Sequence, residues 1–401
     1  MSMNQSPEAS RTHIAIFGRA NVGKSSLINA MTGQTVSIVS EQSGTTTDPV
    51  KKAMELLPLG PVVLIDTAGL DDDTALGQLR VSRAMRELRR ADIVLFVANS
   101  QMPPTGEERR FLSEIHGLGK PIVIALNKAD LGTPNREWGS QAAEWGATWL
   151  PVSALTGEGV DRLRQALAQL RPAQTARPLV RDLVRPGDTA ILVVPIDDAA
   201  PKGRLILPQQ QVIRDLLDGG AMPLVCRDRE YEAALNALGK PPALVVTDSQ
   251  IFPYVAQHTS DSVPLTSFSM LFARFKGDLD QLTQGVAALD ALGDGDRVLI
   301  AEGCTHHRQC DDIGTVKLPK WIAGHTGARL DFHFTSGQGF PDHLSEYKLV
   351  VHCGGCMLNR REVNYRMQCA LDQRVPITNY GIIIAYLQGI LKRSLEVFPW
   401  I

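Results

Sequence analysis

The sequence predicts an α/β protein in which a nucleotide-binding domain is followed by two smaller α/β domains with mostly parallel sheets. Three observations carry this. A short apolar strand, His13 to Phe17, runs straight into Gly18-Arg19-Ala20-Asn21-Val22-Gly23-Lys24-Ser25, a match to G-x-x-x-x-G-K-[ST] that opens a helix. Beyond the proline-bearing stretch 171–178, apolar runs alternate with helical patterns in βαβα order. Towards the end, two further strands terminate in Glu302-Gly303-Cys304-Thr305-His306 and in His352-Cys353-Gly354-Gly355-Cys356.

A chain of 401 residues exceeds one ordinary core, and it is read as three domains, residues 1–172, 175–268 and 269–401. Its charges nearly cancel, 41 basic against 43 acidic for a net of −2, with no long block of either sign. Composition therefore supplies no electrostatic footprint for nucleic acid or for an anionic membrane surface. Met1 to Thr12 lacks the apolar centre of a signal peptide, and no apolar run reaches the roughly 18 residues of a membrane helix. A cytoplasmic protein is expected. There the cysteines stay reduced, and the gathering of Cys304, Cys310, Cys353, Cys356 and Cys369 points to metal ligation.

In the first domain the glycines let backbone N–H groups wrap phosphates, Lys24 neutralises the β and γ groups, and Ser25 offers a hydroxyl to Mg²⁺. The helix from Ser26 to Met31 aims its positive end at the anion, and Gly33 suits its end. Gly18, Asn21, Val22, Gly23, Lys24, Ser25 and Ser26 are thus expected to line the phosphates. The strand Pro121 to Leu126 ends in Asn127-Lys128-Ala129-Asp130, which resembles the N-K-x-D of GTPases. There the aspartate accepts from guanine N1–H and its exocyclic amine, so Asp130 selects GTP over ATP, with Asn127 and Lys128 bracing the loop and covering the base. Ser153-Ala154-Leu155 looks like the companion S-A-x loop. The strand Val62 to Ile65 delivers Asp66-Thr67-Ala68-Gly69, similar to the D-x-x-G switch whose aspartate holds Mg²⁺ through water and whose glycine meets the γ-phosphate. Gly44-Thr45-Thr46-Thr47-Asp48 resembles the first switch of tRNA-modification and Era-like GTPases, which assigns Thr46 as the Mg²⁺-sensing threonine, with Thr45 or Thr47 as alternatives. Ser25, Thr46 and Asp66 form the Mg²⁺ set, and Lys24, Thr46 and Gly69 act at the γ-phosphate.

Leu70 follows Gly69 where the small signalling GTPases carry a water-orienting glutamine, so intrinsic hydrolysis is expected to be slow. Asn21 matches the position that helps bind K⁺ against the phosphates in potassium-dependent relatives, which implies stimulation by K⁺. The acidic run Asp71 to Asp73 reads as a solvated switch loop.

The middle domain pairs strands and helices at 189–196 and 209–218, 223–226 and 229–238, 243–247 and 250–257. It carries no catalytic constellation, and dimerisation is the expected role. In the third domain, strands Arg297 to Ile300 and Tyr347 to Val351 each end in potential ligands, and the carboxyl edge of an open α/β sheet is where ligands gather. Cys304, Cys353 and Cys356, with His352, His306 or Glu302 as a fourth ligand, fit a Cys₃His zinc site or a [4Fe–4S] cluster. A helix is predicted over Asn359 to Asp372, packing Cys369 in the core, and an apolar one over Ile382 to Leu391.

With Asp312-Ile313-Gly314 and Lys317-Leu318-Pro319 after the first cysteine, the ensemble resembles the [FeFe]-hydrogenase maturation GTPases, the HydF family, over essentially the whole chain. The resemblance implies GTPase, dimerisation and cluster-binding domains, and a [4Fe–4S] cluster on Cys304, Cys353 and Cys356. It also implies a scaffold that receives a di-iron precursor from two radical-SAM maturases and passes it to apo-[FeFe]-hydrogenase. The rival reading is a zinc-containing Era-like GTPase acting on RNA or ribosomes, which the charge balance and the lack of a basic, aromatic-interleaved module disfavour.

Overall fold

A computed structural model describes residues 11–33, 50–67, 85–170, 178–195, 205–303, 312–337 and 339–398. The chain divides into two compact units, Met1–Thr175 and Ala176–Ile401.

The first unit is built on a six-stranded sheet in the order β2-β3-β1-β4-β5-β6, with β1 Thr12–Phe17, β2 Val50–Leu56, β3 Gly60–Asp66, β4 Ile93–Asn99, β5 Ile122–Asn127 and β6 Thr148–Pro151. All neighbours are parallel except β2 and β3, which form an antiparallel hairpin. The strand period places Ile14 and Ile16 in one core layer and Ala15 and Phe17 in the other, as a sheet covered on both faces requires. Strand β2, at the edge, is mostly exposed. Helices α1 Lys24–Thr32, α2 Gly106–Gly117, α3 Glu137–Glu144 and α4 Val160–Gln169 supply the cover, and residues 85–90 are also helical. Helix α2 starts with a reciprocal capping box, Thr105 accepting from the Glu108 N–H and Glu108 accepting from the Thr105 N–H.

The second unit holds two four-stranded, wholly parallel sheets. The first contains β7 Thr189–Val193, β8 Met222–Cys226, β9 Leu244–Thr247 and β10 Leu265–Ser267, in the order β10-β9-β7-β8. The second contains β11 Arg297–Ala301, β12 Asp331–Thr335, β13 Leu349–His352 and β14 Ile377–Asn379, in the order β12-β11-β13-β14. Read from opposite edges these are the same order, and the registers match too. Thr247 pairs with Val193 and Ser267 as His352 pairs with Ala301 and Asn379. The helices are α5 Leu207–Asp218, α6 Tyr231–Ala237, α7 Phe252–Gln257, α8 Phe268–Lys276, α9 Leu279–Val286, α10 Leu318–Thr326, α11 Arg360–Asp372, α12 Tyr380–Leu387 and α13 Leu391–Leu395.

The halves exchange their last helices: α9, which follows the first sheet, packs on β14, and α13, which follows the second, packs on β10. Thr266 of β10 donates to the Ser394 carbonyl at 2.9 Å. Helix α8 packs against both α11 and α12, so a single apolar core runs through both halves. The apolar helix expected over Ile382 to Leu391 begins earlier and ends earlier. Asn379 accepts from the Ile382 N–H at 2.9 Å and so caps α12 at Tyr380, and a break at 388–390 separates α12 from α13. Asn359 likewise caps α11, accepting from Glu362. Among the described residues no helix is long and apolar enough to cross a membrane.

Candidate functional site

In the first unit the loop between β1 and α1 is shaped by its neighbours. Gly18 has φ 148°, and a Cβ there would lie 2.1 Å from the Val97 carbonyl oxygen, so no side chain fits. Asn127 ties three loops together, donating through Nδ2 to the Val22 carbonyl at 2.8 Å and accepting through Oδ1 from the Ala154 N–H at 2.9 Å. Ser153 is buried and accepts from the Thr156 N–H at 3.2 Å, which closes the loop that carries Ala154. Lys24 Nζ spans the loop mouth, donating to the carbonyls of Gly18 and Arg19 at 2.9 and 2.8 Å. Ser25 Oγ donates to Asp66 Oδ2 at 2.7 Å, while Asp66 Oδ1 is buried without a hydrogen-bond partner among the described residues. Burial raises the Asp66 pKa against the opposing pull of Ser25, Lys24 and Lys52. A hydroxyl and an incompletely satisfied carboxylate facing one another fit a hard divalent cation such as Mg²⁺.

Asn21 and Lys128 both adopt positive φ, 60° and 65°, Ser26 is exposed on the first turn of α1, and Asp130 is exposed in the turn that follows β5. Gly23 precedes α1. Thr46, Gly69, Leu70, the run Asp71 to Asp73, and the alternatives Thr45 and Thr47 lie outside the described residues.

In the second unit the strand register does the assembling. Ala301 of β11 pairs with His352 of β13, and the Cys353 N–H donates to the Ala301 carbonyl at 2.9 Å. The backbone N–H of Gly303, the residue before Cys304, then meets Cys353 Sγ at 3.0 Å, and the Gly355 N–H meets the same sulfur at 3.4 Å. Gly355 has φ 62°, the left-handed turn that folds the C-x-x-C segment back on itself. Burial raises the Cys353 thiol pKa and the two N–H groups oppose the rise. A sulfur held by two amide donors at a strand end, with Cys356 three residues on, suits the thiolate of an iron–sulfur or zinc site. Cys304, His306 and Cys310 lie outside the described residues; Cys369 is half-buried against the core.

The environment of His352 bears on its role. Arginine only donates and a carbonyl only accepts, so the two contacts of the ring assign its tautomer. Nε2 accepts from Arg366 Nη1 at 3.2 Å, and Nδ1–H donates to the Cys353 carbonyl at 2.6 Å. Burial, reinforced by the Arg366 charge, pushes the His352 pKa down to about 4, so the ring is neutral. Arg366 is fully buried, paired with Glu362 at 2.8 Å, and donates to the Gly337 carbonyl at 2.6 Å. Arg366→Met would break the buried Glu362 ion pair and remove the donors to His352 and to the Gly337 carbonyl, and a loss of about 3–5 kcal/mol is expected in the unfolding of the second unit by urea. A loss below about 1 kcal/mol would show that this buried pair contributes little to the stability of that unit.

Glu302, just beyond β11, is buried and accepts from the Tyr380 hydroxyl at 3.4 Å. Burial, then the neighbouring Cys353 and Glu302, raises the Tyr380 pKa, and the phenol stays a donor. Lys276, in the last turn of α8, is 3% exposed, and its ammonium donates to the carbonyls of Gly355, Cys356 and Leu358 at 2.8, 3.0 and 2.8 Å. Its pKa is pushed down to about 8 by burial, against the pull of the Cys356 and Cys353 thiols. Arg366, Glu362, Tyr380 and Lys276 have no counterpart in the sequence reading. A basic residue at a helix end was the only available signal for Lys276, and it is indistinguishable from an ordinary C-terminal lysine.

A nucleotide-type sheet, a phosphate loop braced by Asn127 and a Ser25–Asp66 pair define the first unit as a P-loop GTPase domain. The comparisons agree: residues 13–128 match the family model described as 50S ribosome-binding GTPase. Residues 179–277 match the hydrogen maturase F dimerization domain and residues 280–397 the hydrogen maturase F tetramerization domain, together more than half of the chain. The chain belongs to the hydrogen maturase F (HydF) family. The tRNA modification GTPase MnmE of Haemophilus influenzae is 36% identical over 168 residues, 40% of this chain and 36% of that protein. GTPase Era of a Geobacter species is 32% identical over 165 residues, 40% of this chain and 55% of that one. The chain thus spans about a third to a half of these relatives. Among solved structures, the G domain of the T. maritima FeoB iron transporter is 25% identical, with 40% of this chain and 98% of that chain covered at a TM-score of 0.32.

Proposed function

We propose that the protein is a GTP-binding and GTP-hydrolysing scaffold that holds a [4Fe–4S] cluster, receives the di-iron precursor of the hydrogenase active-site cluster and transfers it to apo-[FeFe]-hydrogenase. The observation that carries the cluster reading is the convergence of the Gly303 and Gly355 N–H groups on Cys353 Sγ, which puts the two cysteine-bearing strand ends side by side. Cys304, Cys353 and Cys356 would hold the cluster, which supplies an iron position open to an exchangeable ligand. Both ring nitrogens of His352 are engaged, which favours Glu302 over His352 as the fourth ligand. His352 then orients the Cys353 carbonyl.

In the first unit Lys24 would leave its carbonyl partners for the β and γ phosphates, and Ser25 with Asp66 would hold Mg²⁺ together with Thr46. The Gly69 N–H would meet the γ-phosphate. Hydrolysis is slow because Leu70 cannot orient water. Asn21 makes it K⁺-dependent, and a several-fold higher rate in K⁺ than in Na⁺ is expected, whereas equal rates would remove Asn21 from that role. The division into GTPase, dimerisation and cluster-binding parts at about 172 and 268, a homodimer formed through the middle part, two radical-SAM maturases as donors and a cytoplasmic location complete the reading. GTP state would select the docked partner through differential affinity.

Anaerobic purification with iron, sulfide and zinc analysis and an EPR spectrum of the dithionite-reduced protein tests it. About four iron and four sulfide per chain with a reduced-cluster signal are expected. One zinc and no iron after reconstitution would replace it with a zinc-containing Era-like GTPase.

A further inference from the structure

Lys276 presents an imbalance. Moving an ammonium out of water costs several kcal/mol unless opposite charge compensates it. Among the described residues its hydrogen-bond partners are three neutral carbonyls, and its ammonium also lies 5.4 Å from the centre of the Phe272 ring. No carboxylate pairs with it among the described residues. The ionisable groups acting on it are the thiols of Cys356 and Cys353. Among the described residues, a buried cation whose ionisable neighbours are two candidate metal-binding sulfurs is arranged for anions at those sulfurs.

The carbonyls it takes are those of the C-x-x-C turn and of the residue before the α11 cap. In a trans peptide the C=O and the following N–H point in opposite directions. Drawing in the carbonyls of Gly355, Cys356 and Leu358 therefore turns the N–H groups of Cys356, Met357 and Asn359 to the other face of the turn. Three donors on one rigid ammonium fix three peptide planes at once. The residue that does this is on α8, within the span 179–277 matched by the dimerization model, while the turn belongs to the span 280–397.

We propose that Lys276 is a positioning residue for the cysteine turn: from the end of α8 it locks the peptide planes of Gly355, Cys356 and Leu358 and sets a fixed positive charge beside Cys353 and Cys356. The charge rests on the cluster reading above, whereas the locking does not. Removing the charge disfavours the more negative, reduced form of a bound cluster, and removing the donors frees the turn.

The test uses the full-length chain. In metal-free protein, Lys276→Met raises amide hydrogen exchange across 354–358 at least tenfold while β7 to β10 exchange as before, and Lys276→Arg, which keeps charge and donors, stays within about threefold of the parent. Should Lys276→Met fail to fold, Lys276→Gln, whose amide satisfies two of the three carbonyls, shows the rise in smaller degree. In reconstituted protein, Lys276→Met lowers the reduced-to-oxidised cluster ratio at a fixed potential about tenfold, a shift of about 59 mV for one electron, and Lys276→Arg restores it. Parental exchange in the methionine or glutamine variant overturns the locking, and an unchanged ratio overturns the charge. A parent protein that takes up no iron would sink the cluster reading while exchange still judges Lys276.

Discussion

If Cys353 is a cluster ligand as proposed, Cys353→Ala is expected to lower bound iron more than about tenfold, because the ligand and its supporting shell are lost together, while GTP hydrolysis stays within about twofold of the parent. Cys353 Sγ is the acceptor on which the Gly303 and Gly355 N–H groups converge, so its removal strips a ligand and leaves two amides unsatisfied. Each such orphaned donor costs about 1–3 kcal/mol, so alanine alone would confound lost ligation with a loosened turn. Cys353→Ser separates them. The hydroxyl still accepts from both amides, yet an alcohol is a poor ligand for iron compared with a thiolate, so the serine variant should fold like the parent and still lose iron. Cys356→Ala should match it. GTP turnover is spared because Lys24 and Cys353 belong to different compact units. Iron retained at the parental level in Cys353→Ser would remove Cys353 from the ligand set.

The second large effect is a change of base. Asp130→Asn is expected to weaken GTP binding about 10²–10⁴-fold and to create affinity for xanthosine triphosphate, read by fluorescent-nucleotide titration. Guanine offers two donors, N1–H and the exocyclic amine, and a carboxylate accepts both. Charge-assisted bonds of this kind are worth about 1.5–3 kcal/mol each, which yields the range. An asparagine amide confronts the exocyclic amine with a donor. Xanthine carries a carbonyl there, so the same amide now finds an acceptor. Asp130 can play this part because the turn after β5 is anchored from behind, where Asn127 bonds the Val22 carbonyl and the Ala154 N–H. Unchanged GTP affinity in Asp130→Asn would assign the base to another residue.

Much of the architecture was legible in the chain. The strands before the phosphate loop, before Asn127 and before the two cysteine segments were all readable, since parallel strands buried on both faces appear as unbroken apolar runs. The antiparallel edge strand β2, Val50–Leu56, was not, because its Lys51, Lys52 and Glu55 obscure the period. Strands β10 and β14 were missed as well. At three residues each they are too short to show a period, and they are strands only because β9 and β13 lie beside them.

What the sequence determined by itself is the chemistry that contiguous backbone can encode. A phosphate loop, an N-K-x-D turn and a C-x-x-C segment each place their functional atoms within a few residues, so order and spacing suffice to recognise them. The tertiary structure alone decided what surrounds them. Arg366 reaches His352 from α11, Tyr380 reaches Glu302 from the start of α12, and Lys276 reaches the cysteine turn from a helix that follows the other sheet. These contacts join residues 14, 78 and 80 positions apart, and they exist because a duplicated strand order and exchanged helices bring α8 into the shared core beside α11 and α12. No local pattern specifies them, since each depends on burial that the whole second unit creates together.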